Sequence, residues 1–482
     1  MARPKTRLRR AVALTAAALA LTALGGSPAW AGSGHAGTDD DVLTPQTRLY
    51  VNPDSSTAEA ARDLRGQAKK DALALSAVPS ATWFTGGTPA EVKHDVRALV
   101  GRTGRSVPVL VAYDIPFRDC ALYSAGGAAD VAAYKAWIDG FAAGIGNRDA
   151  VVVLEPDGLG IIPWYTAIDG SLEHCQPPEY DAATTTRDAA AERFEMLNYA
   201  VDRLKEQPNA KVYLDGTGPY WLAVGDTADR LVKAGVQRAD GFFLNVSNYE
   251  YTENNVTYGT WVSKCIAYAT KVAPGDFVGC GNQYWSGGPA NDWTGQVLTN
   301  QGIWSPTATD PLLNTAGIES RYDQALGDVQ PSTHFVVDTS RNGQGPWAPP
   351  AGVYSDAETW CNPPGRGLGL RPTTDTKNTL VDALLWIKVP GESDGQCYRG
   401  TGGPTDPERG TVDPAAGQWF SAQARELITL ASPAFTAPTN RWPGWPSWPG
   451  QGWHGWHGPT SAPSTPGWPG WPSWWGHLGG RA

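Results

Sequence analysis

The sequence predicts an α/β protein: a distorted, TIM-like parallel barrel of seven strands with helices outside it. Three observations carry that expectation. Short β-branched runs alternate with longer Ala-, Leu- and Arg-containing stretches from about Leu49 to Pro433. The runs are apolar at successive positions, as strands of a parallel sheet covered on both faces are. Nearly every run also ends in, or soon meets, a polar residue, and β/α barrels build their sites at those carboxyl ends.

In chain order the expected strands are RLYVN (48–52), PVLVAY (108–113), AVVVLE (150–155), KVYLD (211–215), GFFLN (241–245), HFVVD (334–338) and LLWIKV (384–389). Between them, Ala128–Gly144 and Thr186–Gln207 carry apolar residues at helical spacing. The polar groups at the strand ends are Tyr113 to Asp119, Glu155 with Asp157, Asp215, Asn245, Asp338, and Lys388 to Asp394. One such Asp is ordinarily a helix cap; their convergence from several strands marks a site.

The flanks differ from this middle. Residues 1–31 read as a secretory signal: basic residues, the apolar run Ala11–Leu24, and Ala29-Trp30-Ala31 as a small-x-small cleavage site. Residues 32–47 form a Gly-, Asp- and Thr-rich flexible leader, and 48–437 one large domain. The last 45 residues, from Pro438, hold 9 Trp, 9 Pro and 10 Gly with no Asp or Glu, and nearly repeat WPGWPSWPG. Proline at that density blocks helices and sheet ladders, so this tail is expected to be disordered, possessing indoles for contact with polysaccharide or cell wall.

Charge and cysteine usage narrow the function. Of 38 Lys and Arg, five lie in the signal, leaving 33 against 48 acidic residues. So acidic a chain is a poor partner for nucleic acid. The 22 Trp outnumber Tyr and Phe, and an indole face offers a flat apolar platform to a sugar ring. No segment after the signal reaches 18 continuous apolar residues, so no membrane span is expected, and the mature protein should be secreted. Its six cysteines (Cys120, Cys175, Cys265, Cys280, Cys361, Cys397) suit disulfides in an exported protein. Metal ligation finds no C-x-x-C pair and no His at ligand spacing, and neither metal nor cofactor is expected.

Four segments concentrate the chemistry: VLVAYDIPFRDC (109–120), VVVLEPDGLG (151–160), ETWCNPPGRGLG (358–369) and WIKVPGESDG (386–395). Asp157 follows a strand and the rigid Pro156, Asp119 lies between Arg118 and Cys120, and Asp394 sits in a glycine-bounded loop. Hydrolysis of a glycosidic bond needs a carboxylic acid for the leaving oxygen and a route for deprotonating water on the opposite face. A neighbouring carboxylate raises such an acid's pKa towards working pH.

These segments resemble glycoside hydrolase family six, the inverting cellulases of bacteria and fungi. A Y-D/N-x-P-x-R-D-C segment, a strand ending E-P-D, a W-C pair and a G-E-x-D-G segment occur in order, over roughly residues 48–435. The resemblance implies β-1,4-glucosidic cleavage in cellulose. It makes Asp157 the general acid, Asp119 the neighbour that raises its pKa and relays a proton, and Asp394 the proposed base. It places Tyr113 against the distorted sugar, Arg118 beside the carboxylates, and Lys388 and Glu392 on substrate. Trp83, Trp221 and Trp360 match indole platforms, and Asp215 and Asn245 lie among the substrate-binding positions. The resemblance pairs Cys120 with Cys175 and Cys361 with Cys397; Cys265 and Cys280 then remain for each other.

Two departures stand out. The family's D-A-G-H or D-G-T-H segment reads Asp215-Gly216-Thr217-Gly218, and its water-holding Ser aligns with Ala125, next to Ser124. Both motivate a rival reading, a cell-wall polysaccharide-binding protein with a weakened site. Long segments at Asp169–Thr185, Asn282–Gln330 and Thr339–Thr359 suggest a roofed site releasing cellobiose from non-reducing ends, with endoglucanase action the alternative.

Overall fold

The computed structural model describes residues 42–121, 123–288 and 294–438. The expected signal, residues 32–41 of the leader, and the Trp-rich tail beyond Pro438 lie outside the described residues. The described end of the leader packs inward, with Val42 and Leu43 against the core inside the sheet.

Among the described residues, seven parallel strands form one curled sheet in sequence order. They are β1 (Thr82–Phe84), β2 (Val109–Ala112), β3 (Ala150–Leu154), β4 (Ala210–Asp215), β5 (Gly241–Leu244), β6 (His334–Asp338) and β7 (Val381–Leu385). Alternate residues divide the core in two, as the two-residue period of a strand requires. Leu110, Val152, Leu154, Val212, Leu214, Phe242 and Phe335 pack outward against the helices. Val109, Val111, Val151, Val153, Tyr213, Phe243, Val336 and Leu385 fill the interior of the curl. The two edges meet where Ala81 N–H donates to Trp386 O at 2.9 Å and the Trp83 indole donates to Ile387 O at 2.8 Å.

Two strands differ from expectation. Residues 48–52 form no strand; Leu49 makes a single bridge to Val107, and Thr82–Phe84 supplies the first strand instead. The last strand ends at Leu385, because the next backbone donors turn onto a side chain: Ile387 and Lys388 N–H both bond the Asp338 carboxylate. The two expected helices are present as α1 (Val131–Ile145) and α2 (Ala189–Lys205). Each starts where an Asp accepts an N–H of the first turn, Asp130 from Ala133 and Asp188 from Ala191, both at 2.9 Å or less.

Three disulfides are present, Cys120–Cys175, Cys265–Cys280 and Cys361–Cys397. The first joins the loop after β2 to the loop after β3, and the last joins the β6–β7 connection to the segment after β7. No described helix is long and apolar enough to cross a membrane.

Candidate active site

The turn after β3 is held from three sides. Glu155 is fully buried, and its carboxylate accepts the N–H groups of Asp114 and Ile115 at 3.0 Å, binding the end of β3 to the end of β2. Burial pushes its pKa up to about 8. Arg193, on α2, donates to Gly158 O (2.7 Å), Ile161 O (3.0 Å) and Pro116 O (2.8 Å), tying the same two loops from behind. Asp215, at the end of β4, accepts from Leu159 and Gly160 N–H at 3.1 and 3.0 Å. Burial raises it to about 6.

Asp157 sits in this clamp with a left-handed backbone, φ 63°, as does Glu155 at 52°. Such angles are uncommon outside glycine and persist where surrounding contacts impose them. Burial raises its pKa well above the ordinary carboxylate range, and the negative charges of Asp215, Asp119 and Asp394 add to that against Lys388. A raised pKa favours the protonated carboxyl that a general acid requires.

The loop after β2 brings Asp119 beside it. Tyr113 is 6% exposed, edge-on to Trp83 at 5.4 Å, with the Arg118 guanidinium 4.6 Å from its ring centre. Arg118 does not reach a carboxylate with a hydrogen bond; it donates to the carbonyls of Thr85 (2.8 Å) and Ser124 (3.0 Å) and so shapes the loop. Asp119 accepts the Ser124 N–H at 3.0 Å. Burial raises Asp119 to about 6, against the lowering effects of that bond, Arg118 and His174.

Asp394 is in the opposite electrical state. It is 6% exposed and accepts from Arg341 Nη1 (2.9 Å), Tyr249 Oη (3.0 Å) and Asn362 N (3.0 Å), with Lys388 Nζ 3.5 Å away. Burial pushes its pKa up, but Arg341 and Lys388 outweigh that and hold it below the ordinary value. Its Oδ1 is buried without a hydrogen-bond partner. The Asp394 carboxylate therefore has one oxygen, Oδ1, that faces Lys388 and accepts no hydrogen bond among the described residues.

The remaining expected residues fall into two groups. Trp83, Trp221 and Trp360 are partly exposed. Trp221 lies on Gly160, where a Cβ would come within 2.5 Å of the ring; Trp360 stands 5.8 Å from Tyr123. Lys388 donates to Ser393 O at 3.1 Å, and Glu392 accepts the hydroxyl of Ser56. Asn245, by contrast, has its amide occupied by the fold: it donates to Asp338 O (2.8 Å) and accepts from Glu250 N (3.0 Å). Gly218 faces open space where a side chain would project, so the departure there leaves room beside the platform of Trp221.

Sequence reasoning missed Arg341, Tyr249 and Asn362, which contact the Asp394 carboxylate, and Arg193, which braces the loop carrying Asp157. The available signal was a buried-looking Arg directly after a strand, in VVDTSR (336–341). Among the described residues the nearest approach to a metal cluster is Cys397, Asp406 and Asp413. Its sulfur is in a disulfide and Asp406 is paired with Arg399 at 2.8 Å, a donor set that does not suit a cation.

A carboxyl with a raised pKa and a carboxylate with a lowered one stand at the strand ends of a parallel barrel with partly exposed indoles, an arrangement suited to acid–base chemistry. The chain belongs to the glycosyl hydrolases family 6, whose model matches residues 44–431. It is 31% identical over 400 residues to endoglucanase A of Thermobispora bispora, covering 81% of this chain and 66% of that protein. The chain thus spans about two thirds of that relative's length. It is 29% identical over 420 residues to a probable 1,4-β-D-glucan cellobiohydrolase C of Neosartorya fischeri, covering 80% and 78%. Among solved structures it resembles the endoglucanase Cel6 from Mycobacterium tuberculosis in complex with methyl-cellobiosyl-4-deoxy-4-thio-β-D-cellobioside. The TM-score is 0.55 at 31% identity, covering 81% of this chain and 99% of that one.

Proposed function

We propose that this enzyme is an exported, inverting glycoside hydrolase that cleaves β-1,4-glucosidic bonds in cellulose and releases cellobiose from non-reducing ends. The observation that carries the reading is the opposed state of two carboxylates on one site. Burial and acidic neighbours raise the pKa of Asp157, while Arg341 and Lys388 outweigh burial and lower that of Asp394. Asp157 protonates the leaving oxygen. Water attacks the anomeric carbon from the other face and passes its proton to Asp394, directly or through a further water, in a single displacement. Asp119 supplies the negative charge that keeps Asp157 protonated and stands ready to relay a proton.

The loop after β2 touches the β6–β7 connection, with Tyr123 bonded to Glu358 at 2.8 Å, which favours a covered path over an open groove. Endo action is the second reading, favoured by the name of the relative that is 31% identical. Cellobiose accumulating from a soluble cellulose derivative with little loss of viscosity is expected; rapid viscosity loss with little cellobiose would replace exo by endo action.

The three disulfides support an oxidising compartment, in keeping with the expected export signal. The Trp-rich tail is proposed to hold the protein on insoluble polysaccharide. Deleting residues 438–482 should weaken pull-down on cellulose, and unchanged pull-down refutes that role.

A further inference from the structure

The loop that carries Asp119 is strained and tethered at both ends of a short contact chain. Phe117, Asp119 and Cys120 all have left-handed backbones, at φ 54°, 54° and 46°. Three such non-glycine residues within four positions are disfavoured locally, so contacts outside the segment must impose them.

Tyr123 supplies one set of those contacts, beside the Cys120–Cys175 disulfide and the bonds of Arg118 and Arg193 to this loop. Its hydroxyl donates to Glu358 Oε1 at 2.8 Å, while Glu358 Oε2 accepts the Tyr398 and Arg399 N–H groups at 2.8 and 2.6 Å. Glu358 is therefore fixed from its other side and cannot follow the loop. The Tyr123 ring stands 5.8 Å from Trp360 and edge-on to Tyr398 at 6.4 Å. It also lies directly on Gly395, at φ 147°, where a Cβ would come within 2.5 Å of it. Gly395 follows Asp394. On the other side, Ser124 donates its N–H to Asp119 at 3.0 Å and accepts from Arg118 Nε at 3.0 Å.

We propose that Tyr123 is a positioning residue that seats the Asp119 loop against the wall carrying Asp394, so that the two carboxylates are placed by one contact chain, Asp119–Ser124–Tyr123–Gly395–Asp394. The proposal rests on the reading of these carboxylates as parts of one glucan-cleaving site. Tyr123 itself takes no proton and holds no sugar; it acts through the loop.

Tyr123→Phe removes the hydroxyl and keeps the ring, and Tyr123→Ala removes both. On cellohexaose, Tyr123→Phe should lower kcat about tenfold with KM held within about twofold, and Tyr123→Ala should lower it further. The Ser124 amide should exchange its hydrogen about tenfold faster in Tyr123→Phe, while the thermal midpoint stays that of the wild type. Unchanged kcat and exchange in both variants would overturn the proposal. So would a rise in KM at constant kcat, which would make Tyr123 a sugar-binding residue. If the wild type leaves cellohexaose intact, the proposed function fails, and the exchange comparison still decides whether Tyr123 seats the loop.

Discussion

Arg341→Met isolates the charge that keeps Asp394 ionised. Both side chains are buried, 0% and 4% exposed, and joined at 2.9 Å. At about 4 Å and an effective dielectric of about 20, two unit charges attract by about 4 kcal/mol, the equivalent of roughly three pH units. Removing one partner of a buried pair costs about 3–5 kcal/mol, because the other charge stays desolvated. Lys388, 3.5 Å from Asp394, offsets part of this. Asp394 has a depressed pKa, so its contribution to stability is present above the unfolded carboxylate value and is lost as pH falls through the folded value. The variant should therefore be destabilised most at neutral pH, with the deficit shrinking as Asp394 takes up its proton. Urea unfolding at pH 7 and at about pH 4 measures this, and Asp394→Asn in the Arg341→Met background should recover most of the loss at pH 7. The acid limb of kcat should move to higher pH. A deficit below about 1 kcal/mol at pH 7, or one indifferent to both pH and Asp394→Asn, would refute the reasoning.

Gly160→Ala drives a methyl into the Trp221 ring, whose atoms lie 2.5 and 2.6 Å from the added carbon, and should raise KM for cellohexaose about three- to tenfold while the thermal midpoint changes little. Asp119 and Asp215 are raised to about 6 and Glu155 to about 8, all by burial. Groups with raised folded pKa values give stability that is complete below the unfolded carboxylate range and drains as pH rises through the folded values. The urea midpoint should accordingly fall between about pH 4 and about pH 8; a rising midpoint would contradict the burial of these groups.

The strands that were legible in the sequence are those whose apolar runs are buried on both faces, such as VVVL in β3 and GFFL in β5. The first strand was hidden because Thr82–Phe84 is three residues long and only partly buried, whereas the richer RLYVN segment pairs at a single residue. At the other end, LLWIKV reads as one run, but Asp338 captures the backbone donors of Ile387 and Lys388 and stops the ladder. In the candidate site, the motifs around Asp157, Asp119 and Asp394 are long and ordered, so these three could be singled out from the sequence as candidates. Arg341, Tyr249 and Arg193 were not, since their value lies in partners 53, 145 and up to 77 residues away in the chain. Asn245 looked like a substrate contact from its place at a strand end, yet its amide closes the loops after β5 and β6 instead.

The proposed cleavage turns on Asp157 as the proton donor of an inverting displacement. Hydrolysis of cellohexaose by the wild type and by Asp157→Asn, with the anomeric form of the first products followed by NMR, tests it most directly. The wild type should release cellobiose first as the α-anomer, and Asp157→Asn should lose activity by about a thousandfold or more. Initial β-anomer from the wild type, or an Asp157→Asn variant that keeps most of its rate, would contradict it.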